Sequence, residues 1–85
     1  MDSYEAFKIK LDNEHDWPST YLFKFVVPKN KTDEFRLIFS LESMQEKKSK
    51  AGNYVSFTFK KIINSSDEVV DVYLKAKTVE GLIAL

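Results

Sequence analysis

The chain has 85 residues, 44% of them hydrophobic, with seven phenylalanines and 13 basic residues against 13 acidic ones. That composition fits one small domain and argues for a folded chain rather than a disordered one. The formal net charge of zero supplies no overall pull toward nucleic acid or an anionic membrane. Without cysteine there is no disulfide, zinc thiolate site or thiol nucleophile.

The opening residues, MDSYEAFKIKLD, interleave acids and lysines with apolar residues, which argues against a secretory leader. No apolar run reaches the roughly 18 residues of a spanning helix, so the expected location is the cytoplasm, away from the membrane. Residues 1–12 predict a short helix, with Asp2 and Glu5 at capping-box spacing and Tyr4, Phe7 and Leu11 on one face. A helix of that length keeps its shape only when docked, so it is expected to pack on the body. Residues 12–20, DNEHDWPST, predict a linker in which Pro18 biases Trp17 toward an extended conformation and Trp17 packs under the N-terminal segment. The domain division is then a helical extension and linker over residues 1–19 and one domain over residues 20–85.

In YLFKFVV, residues 21–27, Tyr21, Phe23, Phe25 and Val27 share a face opposite Leu22, Lys24 and Val26, the period of a strand. Pro28 ends it, having no N–H for a ladder. Asn30 or Thr32 can cap a helix near residues 31–40, with Asp33 and Glu34 in its first turn and Phe35, Ile38 and Phe39 as its apolar stripe. Residues 41–48 are polar and charged, which suits a sheet edge. Gly52 and Asn53 tolerate positive φ and allow a tight connection into the longest strand, where Val55, Phe57 and Phe59 alternate with Ser56, Thr58 and Lys60. Ser65 and Glu68 then form a capping box for a helix with Val69, Val72, Tyr73 and Ala76 on its apolar face. Lys75 and Lys77 suit the C-terminal end of its dipole, Gly81 is the expected stop, and residues 82–85 form a short last strand.

After the N-terminal extension the order reads β-α-β-β-α-β. With right-handed crossovers this predicts an α+β ferredoxin-like sandwich: a four-stranded antiparallel sheet, two helices on one face, the aromatic strands central and the charged second and short fourth strands at the edges. The turn Ser49-Lys50-Ala51-Gly52-Asn53-Tyr54, followed by the alternating strand, a Ser/Asp-initiated helix and an apolar C-terminal strand, resembles the YbeD-like family of small bacterial proteins of unknown function. The resemblance spans roughly residues 15–85. It implies the ferredoxin-like fold and a likeness to small regulatory ACT-type domains, and it carries no agreed activity.

His15 lies among Asp12, Glu14 and Asp16, ligand types for a divalent metal, but they are contiguous on a loop with no spacing that converges them, so they read as a solvated acidic loop. The one histidine has no serine or cysteine partner in a recognisable motif, which leaves a hydrolase without support. The hairpin tip carries Lys47, Lys48, Ser49, Lys50, Gly52, Asn53 and Tyr54. Lysines beside backbone N–H groups can hold a phosphate or carboxylate, and the alternative is a soluble hairpin tip. Lys50, Tyr54, Val55 and Phe57 match part of the RNA-recognition signature, but Gly52 occupies the first stacking position and Leu22 the aromatic position of the other central strand. The N-terminus of the last helix is occupied by its own Asp67 and Glu68, which repel an anion. Leu22, Val26, Tyr54 and Ile62 share the outer sheet face, where Tyr4, Phe7 and Leu11 of the N-terminal helix, or a second copy of the protein, are expected to cover them. The edge over residues 82–85 can accept an added strand. The sequence thus reads as a non-catalytic regulatory or protein-interaction module. It takes no cofactor and binds a small anionic ligand, a protein partner or itself. Single-stranded nucleic-acid binding through the sheet face is the alternative, and an enzyme ranks last.

Overall fold

The computed structural model describes residues 3–40 and 44–85. The elements are α1 (Ser3–Glu14), β1 (Ser19–Pro28), a 3₁₀ turn (Lys29–Lys31), α2 (Thr32–Ile38), β2 (Gln45–Lys48), β3 (Tyr54–Ile63), α3 (Ser66–Ala76) and β4 (Ile83–Ala84). The fold is α+β, with a four-stranded sheet in the order β2-β3-β1-β4 and antiparallel pairing between every pair of neighbours.

β1 and β3 pair along their whole lengths, from Ser19 opposite Ile63 to Pro28 opposite Tyr54. That register sets Phe23 against Phe59, Phe25 against Phe57 and Val27 against Val55. Because side chains alternate with a period of two, all six turn to one face, and all six are buried. α2 adds Phe35 and Phe39 to this face, and α3 adds Val69, Val72 and Ala76. The phenylalanines meet in tilted and offset pairs, with Phe35 and Phe57 at 4.5 Å and Phe23 and Phe59 at 5.2 Å between ring centroids. Each such ring contributes about 1.5–3 kcal/mol by leaving water, and the ring pairs add to that.

α1 runs to Glu14, so Asn13 and Glu14, expected in the linker, are helical. It docks as expected. Leu11 joins the core, the Phe7 ring meets the Tyr73 ring at 5.8 Å, and Lys8 pairs with Asp67 at 2.6 Å. All three contacts lie on the helical side of the sheet. The expectation that Tyr4, Phe7 and Leu11 cover the outer face is therefore overturned: the apolar stripe of α1 is spent on α3 and the core. Trp17 Nε1 donates to Asp12 Oδ1 at 2.9 Å and its ring stacks on His15, which seats the partly buried indole under α1.

Three local expectations are corrected. Neither Asn30 nor Thr32 caps α2, because the 3₁₀ turn runs straight into the helix and Thr32 Oγ1 donates to the Lys29 carbonyl at 3.2 Å. α2 stops at Ile38, where Phe39 leaves helical geometry with ψ 77 and its ring joins the core. Gly81 is not the stop of α3: the helix ends at Ala76, and Gly81, with φ +80, shapes the turn into β4. A side chain at 81 would put its Cβ 2.9 Å from Pro28 Cγ. The Ser65 cap holds, with Glu68 N–H donating to Ser65 Oγ at 3.4 Å. The Glu68 carboxylate reaches one residue further back than a capping box requires, accepting from the backbone N–H of Asn64 at 3.0 Å and its Nδ2 at 3.3 Å. These bonds hold the Glu68 carboxyl below its ordinary pKa. The strand expected over residues 41–48 is β2 at Gln45–Lys48; residues 41–43 and the Asp2 cap lie outside the described residues. Among the described residues no helix is long and apolar enough to cross a membrane.

Candidate anion site on the open sheet face

The pairing register assigns every side chain of the face turned away from the helices. Lys47, Ser56, Val26 and Ile83 stand abreast, one from each strand. The next row holds Gln45, Thr58 and Lys24, and the Lys24 carbonyl accepts from Leu85 N–H at 2.9 Å. Beyond it come Lys60 with Leu22 and Ile62 with Thr20, while Tyr54 and Pro28 close the other end. Leu22 is 56% and Ile62 69% exposed, so no described element covers this face.

A shallow groove of about 320 Å³ crosses its upper end. Lys24, Val26, Lys47 and Ser56 come from the sheet, and Lys48, Ser49, Lys50 and Tyr54 from the β2–β3 hairpin, with Leu85 at the β4 edge. Four of the lining residues are lysines and none has a carboxylate side chain. A second hollow along β2 shares Lys24, Lys47 and Ser56 and adds Glu46. That carboxylate is already neutralised. Arg36 Nε and Nη2 hold it from α2, which keeps its pKa below the ordinary carboxylate range, chiefly through the hydrogen bond. Arg36 also bonds Asp33 at 3.0 Å and lies over the Phe57 ring at 5.6 Å.

The hairpin that presents the lysines is held by its own backbone. Ser49 N–H donates to the Tyr54 carbonyl at 2.9 Å, Gly52 N–H to the Ser49 carbonyl at 3.0 Å, and Tyr54 N–H to Ser49 Oγ at 3.2 Å. Gly52 has φ +75, a region in which an L side chain is strained. The Asn53 carbonyl accepts from Lys29 N–H at 2.9 Å, tying the tip to the 3₁₀ turn. The N–H groups of Ser49, Gly52 and Tyr54 are thus used within the hairpin and are not offered to an anion. Of the residues the sequence singled out, Lys47, Lys48, Ser49, Lys50 and Tyr54 line the groove, while Gly52 and Asn53 build the turn behind it. Sequence reasoning did not include Lys24, Val26, Ser56 and Leu85. Alternation already placed Lys24 on this face, but only the β1–β3 register makes it a neighbour of the hairpin.

Tyr54, 42% exposed, is the one aromatic side chain that β1 and β3 place on the open face. Among the described residues no three His, Asp or Glu side chains converge as a metal site, and His15 stacks on Trp17 at 5.2 Å. Asp67 pairs with Lys8 at the start of α3, so that N-terminus is self-contained. Compared with protein-family models, curated proteins and solved structures, the chain has no match.

Proposed function

We propose that this chain is a non-catalytic, cytoplasmic regulatory module of ferredoxin-like type that binds a small anionic ligand in the lysine groove of its open sheet face. The strand order β2-β3-β1-β4, with α2 between β1 and β2 and α3 between β3 and β4, supports the ferredoxin-like type. The regulatory part of the reading rests on the likeness to ACT-type domains that the YbeD-like resemblance implies. One observation carries the ligand reading: four lysines line a concave surface to which no carboxylate side chain contributes. Lysines gathered along one surface with no carboxylate side chain among them raise the local potential and favour an anion of two or more charges.

A second reading, binding of single-stranded nucleic acid, rests on Tyr54 standing beside those lysines on an uncovered sheet. Titration of the ¹⁵N-labelled protein with inorganic phosphate, a small dicarboxylate and short single-stranded RNA separates the two. Saturable phosphate or dicarboxylate shifts at Lys24, Lys47, Ser49, Lys50, Tyr54 and Ser56 are expected. Shifts with RNA alone, running on over Leu22, Thr58 and Lys60, would transfer the reading to nucleic acid. Shifts with none of the three at low salt would leave a protein partner or self-association through this face.

A further inference from the structure

On the other side of the sheet, where α1 crosses α3 beside β4, lies another concavity, of about 280 Å³. β4 sets Ala84 against Phe25, so its small side chain lies on the core-facing side of the sheet edge and lines the concavity. Leu82 lies two residues earlier, and Phe7 of α1 and Tyr73 of α3 form the walls. Phe7 and Tyr73 are locked edge to face, and the Tyr73 hydroxyl is turned inward to the Tyr21 hydroxyl at 3.5 Å, so the walls present carbon. At the mouth stands one cation, Lys77, with its ammonium 5.3 Å from the Tyr4 ring centroid. Among the described residues no carboxylate lies in ion-pair range of Lys77. The volume holds on the order of nine water-sized units.

We infer that this groove between α1, α3 and β4 is a binding site for a small amphipathic carboxylate, its apolar body against Phe7, Tyr73, Leu82 and Ala84 and its carboxylate at Lys77. An apolar trough with a single cation at its rim, paired with no carboxylate among the described residues, selects for one anionic head on a flat apolar tail. A phosphate without a tail gains nothing from the walls, and a neutral apolar molecule leaves the ammonium unused. The site is independent of the open-face reading, because the two grooves lie on opposite sides of the sheet and share no residue.

The test uses 4-phenylbutyrate and its uncharged counterpart 4-phenylbutanol against the whole chain, read by amide shifts and by thermal midpoint. Saturable shifts at Phe7, Tyr73, Lys77, Leu82 and Ala84 are expected, with a Kd of about millimolar for a ligand of this size. Lys77→Gln should weaken the carboxylate about threefold to fivefold, leave the alcohol unchanged and so abolish the preference between them. Ala84→Leu, on an exposed edge, should fill the trough and remove binding of both. Equal binding of acid and alcohol to the unaltered chain, unchanged binding in Ala84→Leu, or an absence of saturable shifts would overturn the site. Phosphate shifts on the open face do not bear on it.

Discussion

Neutralising Lys24 and Lys47 tests the lysine groove at its centre. The two residues lie on β1 and β2, separated by β3, in adjacent rows of the open face. With strands ~4.8 Å apart and ~6.8 Å between rows, their Cα atoms are roughly 12 Å apart. Their side chains can therefore converge on an ion seated over Ser56. At ~4–5 Å in a water-like dielectric each unit charge contributes roughly 1 kcal/mol, reduced by screening at physiological salt. Lys24→Gln and Lys47→Gln should each weaken inorganic phosphate about threefold to fivefold. The double variant should weaken it about tenfold to twentyfold, since the two Coulomb contributions to one ion sum. The losses should shrink as salt rises. Lys75→Gln, an exposed lysine on the helical side, is the control. The readout is the midpoint of the amide-shift titration at low and at physiological salt. If Lys75→Gln costs as much as Lys47→Gln, or the double variant binds as the parent does, phosphate follows diffuse charge and the groove is not a site.

Leu11→Ala should remove about 2–3 kcal/mol, at the lower end for a buried leucine because α1 can settle inward, and should lower the thermal midpoint by about 10–20 °C. Urea melts followed by Trp17 fluorescence and far-UV circular dichroism should coincide. A loss under about 1 kcal/mol, or two separate transitions, would mean that α1 is not part of the core. Gly81→Ala should cost about 2 kcal/mol by chemical denaturation, from the positive φ and the 2.9 Å approach to Pro28; a neutral result would place the strain elsewhere. Tyr73 is held neutral by burial first and then by the Tyr21 hydroxyl, so its pKa is raised above the ordinary 10.0. A group whose folded pKa is raised contributes stability below the unfolded pKa and loses it as pH rises through the folded one. Stability should thus fall above about pH 10, and Tyr73→Phe should flatten that decline; an unchanged alkaline slope would assign it to another group.

The central strands were legible because Phe23, Phe25 and Val27 of β1 and Val55, Phe57 and Phe59 of β3 recur at every second position, and burial on one face enforces that pattern. The Ser65 cap was legible for a similar reason, since Ser-x-x-Glu acts within four residues. Helix boundaries at α2 and α3 were not. Phe39 leaves its helix to bury a ring, and Gly81 answers to Pro28, far away in sequence. The candidate site divides in the same way. Lys47, Lys48, Ser49, Lys50 and Tyr54 are contiguous or nearly so, and a charge cluster at a turn is visible in one dimension. Lys24 and Leu85 enter only through strand pairing, and the placement of α1 on α3, which leaves the open face bare, depends on which apolar surface α1 fits.

What the sequence alone determined was which face of each strand and helix is apolar, because that follows from residue spacing and the fixed periods of backbone geometry. What only the tertiary structure decided was which faces meet. Register, the side on which α1 docks, and the two grooves depend on contacts between residues far apart in the chain, where the free energy of packing one surface against another, not local periodicity, makes the choice.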